Sequence, residues 1–126
     1  MLAESRIGAN VPVSNLDEAI AFYEGKLGLT LFERGDEENY ARFSGAGDTR
    51  LGVYVSGTAG QARHTLVSFV VDDVRAAVDE LRGGGVVFEE YDTPGMKTED
   101  GVATFGDTRA AWLKDPDGNI LEIVGA

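Results

Sequence analysis

Apolar residues recur along this chain with two different periods. Between Asn15 and Leu27, the residues Leu16, Ala19, Ile20, Tyr23 and Leu27 have the spacing that gathers side chains on one face of a helix. Ser14 followed three positions later by Asp17 has the form of a capping box, and Gly28 stands where a helix C-terminus favours glycine. A second helical stripe, Val74, Ala77, Val78 and Leu81, lies within Asp73–Arg82; Asp72 or Asp73 can cap it and Gly83-Gly84-Gly85 ends it. The remaining apolar runs are short, rich in β-branched and aromatic residues and bounded by turn formers, as strands require. They are Ile7–Val13, Leu29–Arg34, Tyr40–Ser44, Leu51–Ser56, Thr65–Val71, Val86–Tyr91, Ala110–Lys114 and Ile120–Val124. The clearest turn, Asp115-Pro116-Asp117-Gly118-Asn119, lies between the last two and predicts a hairpin. Asp92–Gly101 is left as a long connection, either a lid that touches a ligand through Met96 and Lys97 or a plain surface loop.

The order strand, helix, three strands occurs twice. Leu16 matches Val74, Ile20 matches Val78 and Tyr23 matches Leu81, each pair 58 positions apart, so the chain reads as a duplicated βαβββ module. The expectation is one α+β domain over residues 1–126, with module one at about 5–57 and module two at about 63–125. A single helix covers one face of a module's sheet; the other face needs a partner or a ligand. Two modules side by side would form a cup lined by alternate strand residues.

Charge narrows the partners. Eleven Lys and Arg against 22 Asp and Glu leave a net charge of −11, which repels nucleic acid and anionic membranes and attracts a cationic small molecule, or simply maintains solubility. There is no cysteine, hence no disulfide frame, zinc knuckle or thiol nucleophile. No apolar stretch is long enough to span a membrane and no leader pattern stands at the N-terminus, so the expected location is the cytoplasm. The 17 glycines form no phosphate-binding motif; Gly83-Gly84-Gly85 follows a helix instead of opening one.

Three stretches carry a resemblance that spans nearly the whole chain. Val13-Ser14-Asn15-Leu16-Asp17-Glu18-Ala19 leads into Phe22-Tyr23-Glu24-Gly25-Lys26-Leu27-Gly28-Leu29; Val71-Asp72-Asp73-Val74 opens the second helix; Lys114-Asp115-Pro116-Asp117-Gly118-Asn119-Ile120-Leu121-Glu122 closes the chain. Together they resemble the vicinal-oxygen-chelate superfamily, which includes glyoxalases, extradiol dioxygenases and drug-sequestering resistance proteins. The resemblance implies two βαβββ modules in a half-barrel cup and a homodimer. Metal-dependent members take His or Glu/Gln ligands from the first and last strand of each module. The matching positions here are Gly8 or Asn10, Gly52 or Tyr54, about Leu66 with His64 on the same face, and Glu122. One ligand of four is in place and His64 is the only histidine, so the expectation is no metal and no cofactor. An oxygen-only magnesium site finds no carboxylate cluster on these strand positions.

The candidate ligand-binding residues are therefore Asn10, Tyr54, His64, Leu66, Ser68, Met96, Trp112 and Glu122. Glu122 is also the candidate catalytic group, as a general base in an apolar run; its structural alternative is a remnant carboxylate bonded to a neighbour. His64 reads as a rim residue more readily than as a base, and Trp112 as the aromatic platform for a planar ligand. The preferred function is metal-free binding of a small organic molecule. The alternatives are a glyoxalase-like lyase or isomerase, or a dioxygenase, that uses Glu122, and a cup filled by its own side chains that serves protein contact.

Overall fold

Each half of the chain wraps a sheet around its own helix. The computed structural model describes all 126 residues, and these separate into two compact units, Met1–Gln61 and Ala62–Ala126. No helix is long and apolar enough to cross a membrane.

The first unit follows a short 3-10 turn with β1 (Gly8–Val13), α1 (Leu16–Ile20), a π-helical turn (Ala21–Lys26), β2 (Thr30–Gly35), β3 (Tyr40–Ser44) and β4 (Arg50–Val55). The sheet order is β1-β4-β3-β2, with β1 parallel to β4 and the other pairs antiparallel. Strand alternation sends Val11, Val13, Ala41, Phe43, Leu51 and Val53 to the face under the helix, where they are buried with Leu16, Ala19 and Tyr23. Burying a side chain of this size stabilises by about 1.5–3 kcal/mol. The cap differs from the expected one by one residue. Asn15, in extended conformation, accepts the Glu18 N–H at 2.9 Å and so does the work expected of Ser14. The expected helix over 15–27 also changes register: the Leu27 N–H reaches back five residues to the Phe22 carbonyl at 2.9 Å. That wider turn keeps Tyr23 fully buried beside Phe43, with ring centroids 5.8 Å apart, and ends at Gly28, whose φ of +78° suits glycine.

The second unit contains β5 (Thr65–Val71), α2 (Val74–Gly83), β6 (Asp92–Thr93), β7 (Met96–Glu99), β8 (Val102–Phe105), β9 (Thr108–Lys114) and β10 (Ile120–Gly125), in the order β5-β10-β9-β8-β7-β6. Asp73 caps α2 by accepting the Ala76 N–H at 3.0 Å, and Val74 and Val78 pack down with Ala111, Leu113, Leu121 and Ile123. The two helices start at Leu16 and Val74, which are matched positions of the repeat. β9 and β10 form the expected hairpin. Its turn is held by Asp115, whose Oδ1 accepts the N–H groups of Asp117 and Asn119 at 2.9 Å each and whose Oδ2 accepts the Asn119 side-chain amide at 2.8 Å.

Two expectations in this unit fail. Val86–Tyr91 is not a strand: only a single bridge, Phe88 with Leu113, joins it to the sheet. Its burial still alternates, with Val86 and Phe88 in and Val87 out, but the Tyr91 N–H is taken by the Thr98 hydroxyl at 2.8 Å instead of a ladder carbonyl. Asp92–Gly101 is in turn not a structureless loop but carries two short strands. Pro94-Gly95 joins β6 to β7, and Asp100-Gly101, both at positive φ (51° and 85°), make a two-residue turn between β7 and β8.

Candidate functional site

The helix-free face of the second sheet collects four of the eight candidate residues, Ser68, Met96, Trp112 and Glu122. Cross-strand register puts Ser68, Glu122 and Trp112 side by side on β5, β10 and β9, and the next row holds Val70, Val124, Ala110 and Ala103. Trp112 is 8% exposed and anchors an apolar cluster with Ala103, Ala110, Tyr91, Met96, Ile120 and Val124. The Tyr91 ring meets the indole edge-on at 5.7 Å, and the indole Nε1–H donates to the Thr65 hydroxyl at 3.3 Å. Burial, followed by the nearby Glu89 carboxylate, pushes the Tyr91 hydroxyl above the usual tyrosine range. Half-buried Glu122 is the one charged group in its row; its Oε1 accepts the Ser68 hydroxyl at 2.6 Å. The result is an aromatic floor with a single oriented carboxylate, which can accept from a cationic or hydrogen-bond-donating group on a planar molecule.

Met96 packs against the cluster on this face from strand β7. Leu66 occupies the bulge where pairing slips between Thr65 and Val67, and His64 is exposed just before β5. Tyr91 and Thr65 are functional candidates that the apolar pattern alone did not single out. Tyr91 ends the segment expected to be a strand, and Thr65 looked like a strand start.

The helix-free face of the first sheet is polar. Asn10, Gly52, Arg42 and Glu33 form one row across its four strands, and Pro12, Tyr54, Tyr40 and Gly35 the next. Asn10 lies over Gly52, where an added Cβ would stand 2.5 Å from its Oδ1, and Tyr54 is 40% exposed. The Glu33 carboxylate accepts from Arg42 and, at 2.9 Å, from the Tyr40 hydroxyl. Those two bonds, Arg42 first, hold the Glu33 carboxyl below its usual range, and Glu33 in turn pushes the Tyr40 hydroxyl up. The sequence signal for this network was the alternation of Tyr40 and Arg42 along β3 opposite Glu33, with Gly35 leaving room for the Tyr40 ring.

The donor set does not fit a catalytic transition metal. The first-strand position offers glycine or an asparagine amide, the fourth strand a glycine and a tyrosine, and the fifth strand a bulged leucine, which leaves Glu122 alone. Nowhere do three His, Cys, Asp or Glu side chains converge.

A family model described as the Glyoxalase/Bleomycin resistance protein/Dioxygenase superfamily matches residues 7–123. The chain belongs to this superfamily. Among curated members it is 27% identical over 123 residues to a probable lactoylglutathione lyase of Vibrio cholerae serotype O1 (strain ATCC 39315 / El Tor Inaba N16961), covering 89% of this chain and 83% of that one. Among solved structures it is similar to TnmS3, an antibiotic binding protein from Streptomyces sp. CB03234, at 26% identity and a TM-score of 0.73, with 98% of this chain and 97% of that chain covered. A glyoxalase/bleomycin resistance protein from Catenulispora acidiphila DSM 44928, at 20% identity and a TM-score of 0.70 with 96% and 97% covered, shares the superfamily fold.

Proposed function

We propose that this superfamily member binds a small organic molecule without a metal, on the helix-free face of its second module. The observation that carries this reading is the Glu122–Ser68 pair beside the Trp112–Tyr91 floor. Apolar rings there supply stacking area, worth about 0.5–1.5 kcal/mol per aromatic pair beyond burial. The carboxylate supplies direction, because a hydrogen bond to a charged group contributes roughly 1.5–3 kcal/mol. The ligand class is thus a planar aromatic molecule with a cationic or donor group, and the net charge of −11 favours a cation. Similarity to an antibiotic binding protein supports this reading. Met96, Leu66 and Ser68 border the ligand, His64 serves as a polar contact at the rim, and the chain acts as a homodimer.

Trp112 is the only tryptophan, so fluorescence excited at wavelengths where the four tyrosines do not absorb reports this face alone. Titration with planar aromatic amines and their neutral analogues should quench or shift it saturably, with the amines tighter. A panel that leaves the emission unchanged refutes the reading.

The similarity to a probable lactoylglutathione lyase, together with Glu122 on the last strand, favours a second reading, an enzyme with Glu122 as proton-transfer base. Turnover in a lactoylglutathione lyase assay that Glu122→Gln abolishes, with the fold intact, would replace the first reading.

A further inference from the structure

The opposite face of the second sheet, the one that carries α2, holds a pocket that the proposed ligand face does not use. Alternation turns Lys97 and Glu99 on β7, Val102 and Thr104 on β8 and Arg109 on β9 toward this side, with Glu99 paired to Val102 and Thr104 paired to Arg109. Arg75, in the first turn of α2, completes the wall, and these six residues line a cavity of about 480 Å³.

Its charge runs against that of the chain. Only 11 of the 126 residues are Lys or Arg, and three of them stand here with one carboxylate, Glu99. Arg75 is fixed in place: it donates to the main-chain carbonyls of Asp100 at 2.8 Å and Glu99 at 2.9 Å. Its only ion pair, to the Asp100 carboxylate at 3.7 Å, is shared with Arg82, which approaches that carboxylate to 3.1 Å. Arg109 and Lys97 enter no ion pair at all. Three cations against one lining carboxylate leave the pocket with an excess of positive charge, which a bound anion would relieve. Immediately beyond Arg109, the adjoining hollow carries Asp72, Asp73 and Asp107, which repel an extended polyanion and leave room only for a compact one.

We propose that this pocket is a second binding site, for a small anion bearing a carboxylate or phosphate group. The planar Arg109 guanidinium grips two oxygens, Lys97 acts as a point charge, Arg75 supplies a pre-positioned cation and the Thr104 hydroxyl donates to the ligand.

The test is a titration of the full chain at low ionic strength with citrate and, separately, inorganic phosphate, followed by amide NMR. Saturable shifts centred on Val102, Thr104 and Arg109 are expected, and exposed Arg109→Gln and Lys97→Gln should each weaken binding about tenfold. Lys114→Gln, a control whose side chain pairs with Glu89, should leave it unchanged. Response to citrate alone assigns a carboxylate ligand, response to phosphate alone a phosphoryl one, and either supports the site. Absence of saturation by about 10 mM, or affinity indifferent to both substitutions, overturns it.

Discussion

Replacing Asp115 by alanine removes the acceptor around which the β9–β10 turn is built, and with it the register that sets Trp112 opposite Glu122. Asp115 is 5% exposed and accepts three hydrogen bonds, from the Asp117 N–H and from the N–H and side-chain amide of Asn119. Asn119 is fully buried, so its two donors have no route to water once the carboxylate is gone. No buried side-chain polar atom is unsatisfied in the native chain, so the substitution creates that defect. At about 1–3 kcal/mol for each stranded donor, plus the lost bond to Asp117, Asp115→Ala should cost about 3–7 kcal/mol. For a domain with 5–15 kcal/mol in all, that is a large fraction, and it should lower Tm by roughly 10 °C or more. Urea unfolding followed by circular dichroism measures it directly. Asp115→Asn, which keeps one acceptor oxygen, should lose less. A loss below about 1 kcal/mol for the alanine variant would show that the turn holds without this network.

Three further outcomes follow from the geometry. Glu33 has a lowered folded-state pKa, so its bonds to Arg42 and Tyr40 stabilise fully above the usual carboxylate range and the contribution is lost as pH falls through the depressed value. Tyr40 is raised, so its share persists below the usual tyrosine range and is lost as pH rises through the raised value. Glu33→Gln should therefore lower stability at neutral pH and flatten the acid limb of a stability–pH curve; an unchanged curve contradicts this. Gly52→Ala meets a movable atom, Asn10 Oδ1 at 2.5 Å, while the nearest backbone atom is 3.6 Å away, so the amide should swing off and unfolding free energy should change by less than about 1 kcal/mol. A larger loss in urea unfolding would mean that Asn10 is locked in place. Thr98→Val strands the Tyr91 N–H and should cost about 1–3 kcal/mol, with faster amide exchange at Tyr91 than in the parent chain.

Much of this architecture is written in periodicity. The stripes beginning at Leu16 and Val74, the strands Tyr40–Ser44 and Thr65–Val71 and the Asp115 hairpin emerge where the pattern places them, because burial on one face imposes the period. The failures are local. Val86–Tyr91 kept the alternation of a strand but pairs only through the Phe88–Leu113 bridge, and its Tyr91 amide goes to the Thr98 hydroxyl. β7 and β8 are too short to show a period, yet Asp100-Gly101 and Gly106-Asp107 were turn signals that bracket β8. The site is legible in part. Trp112, Glu122 and Ser68 share a face because strand parity is fixed, whereas the Tyr91 edge contact depends on an irregular segment that no period announces.

The most direct test of ligand binding at the second module compares the parent chain with Glu122→Gln in a Trp112 fluorescence titration against one planar aromatic amine and its neutral analogue. The substitution preserves shape and removes the charge. The amine should lose at least about tenfold in affinity while the neutral analogue binds nearly as before. Equal affinity of the amine for both proteins, or no binding to either, contradicts a ligand site organised by Glu122.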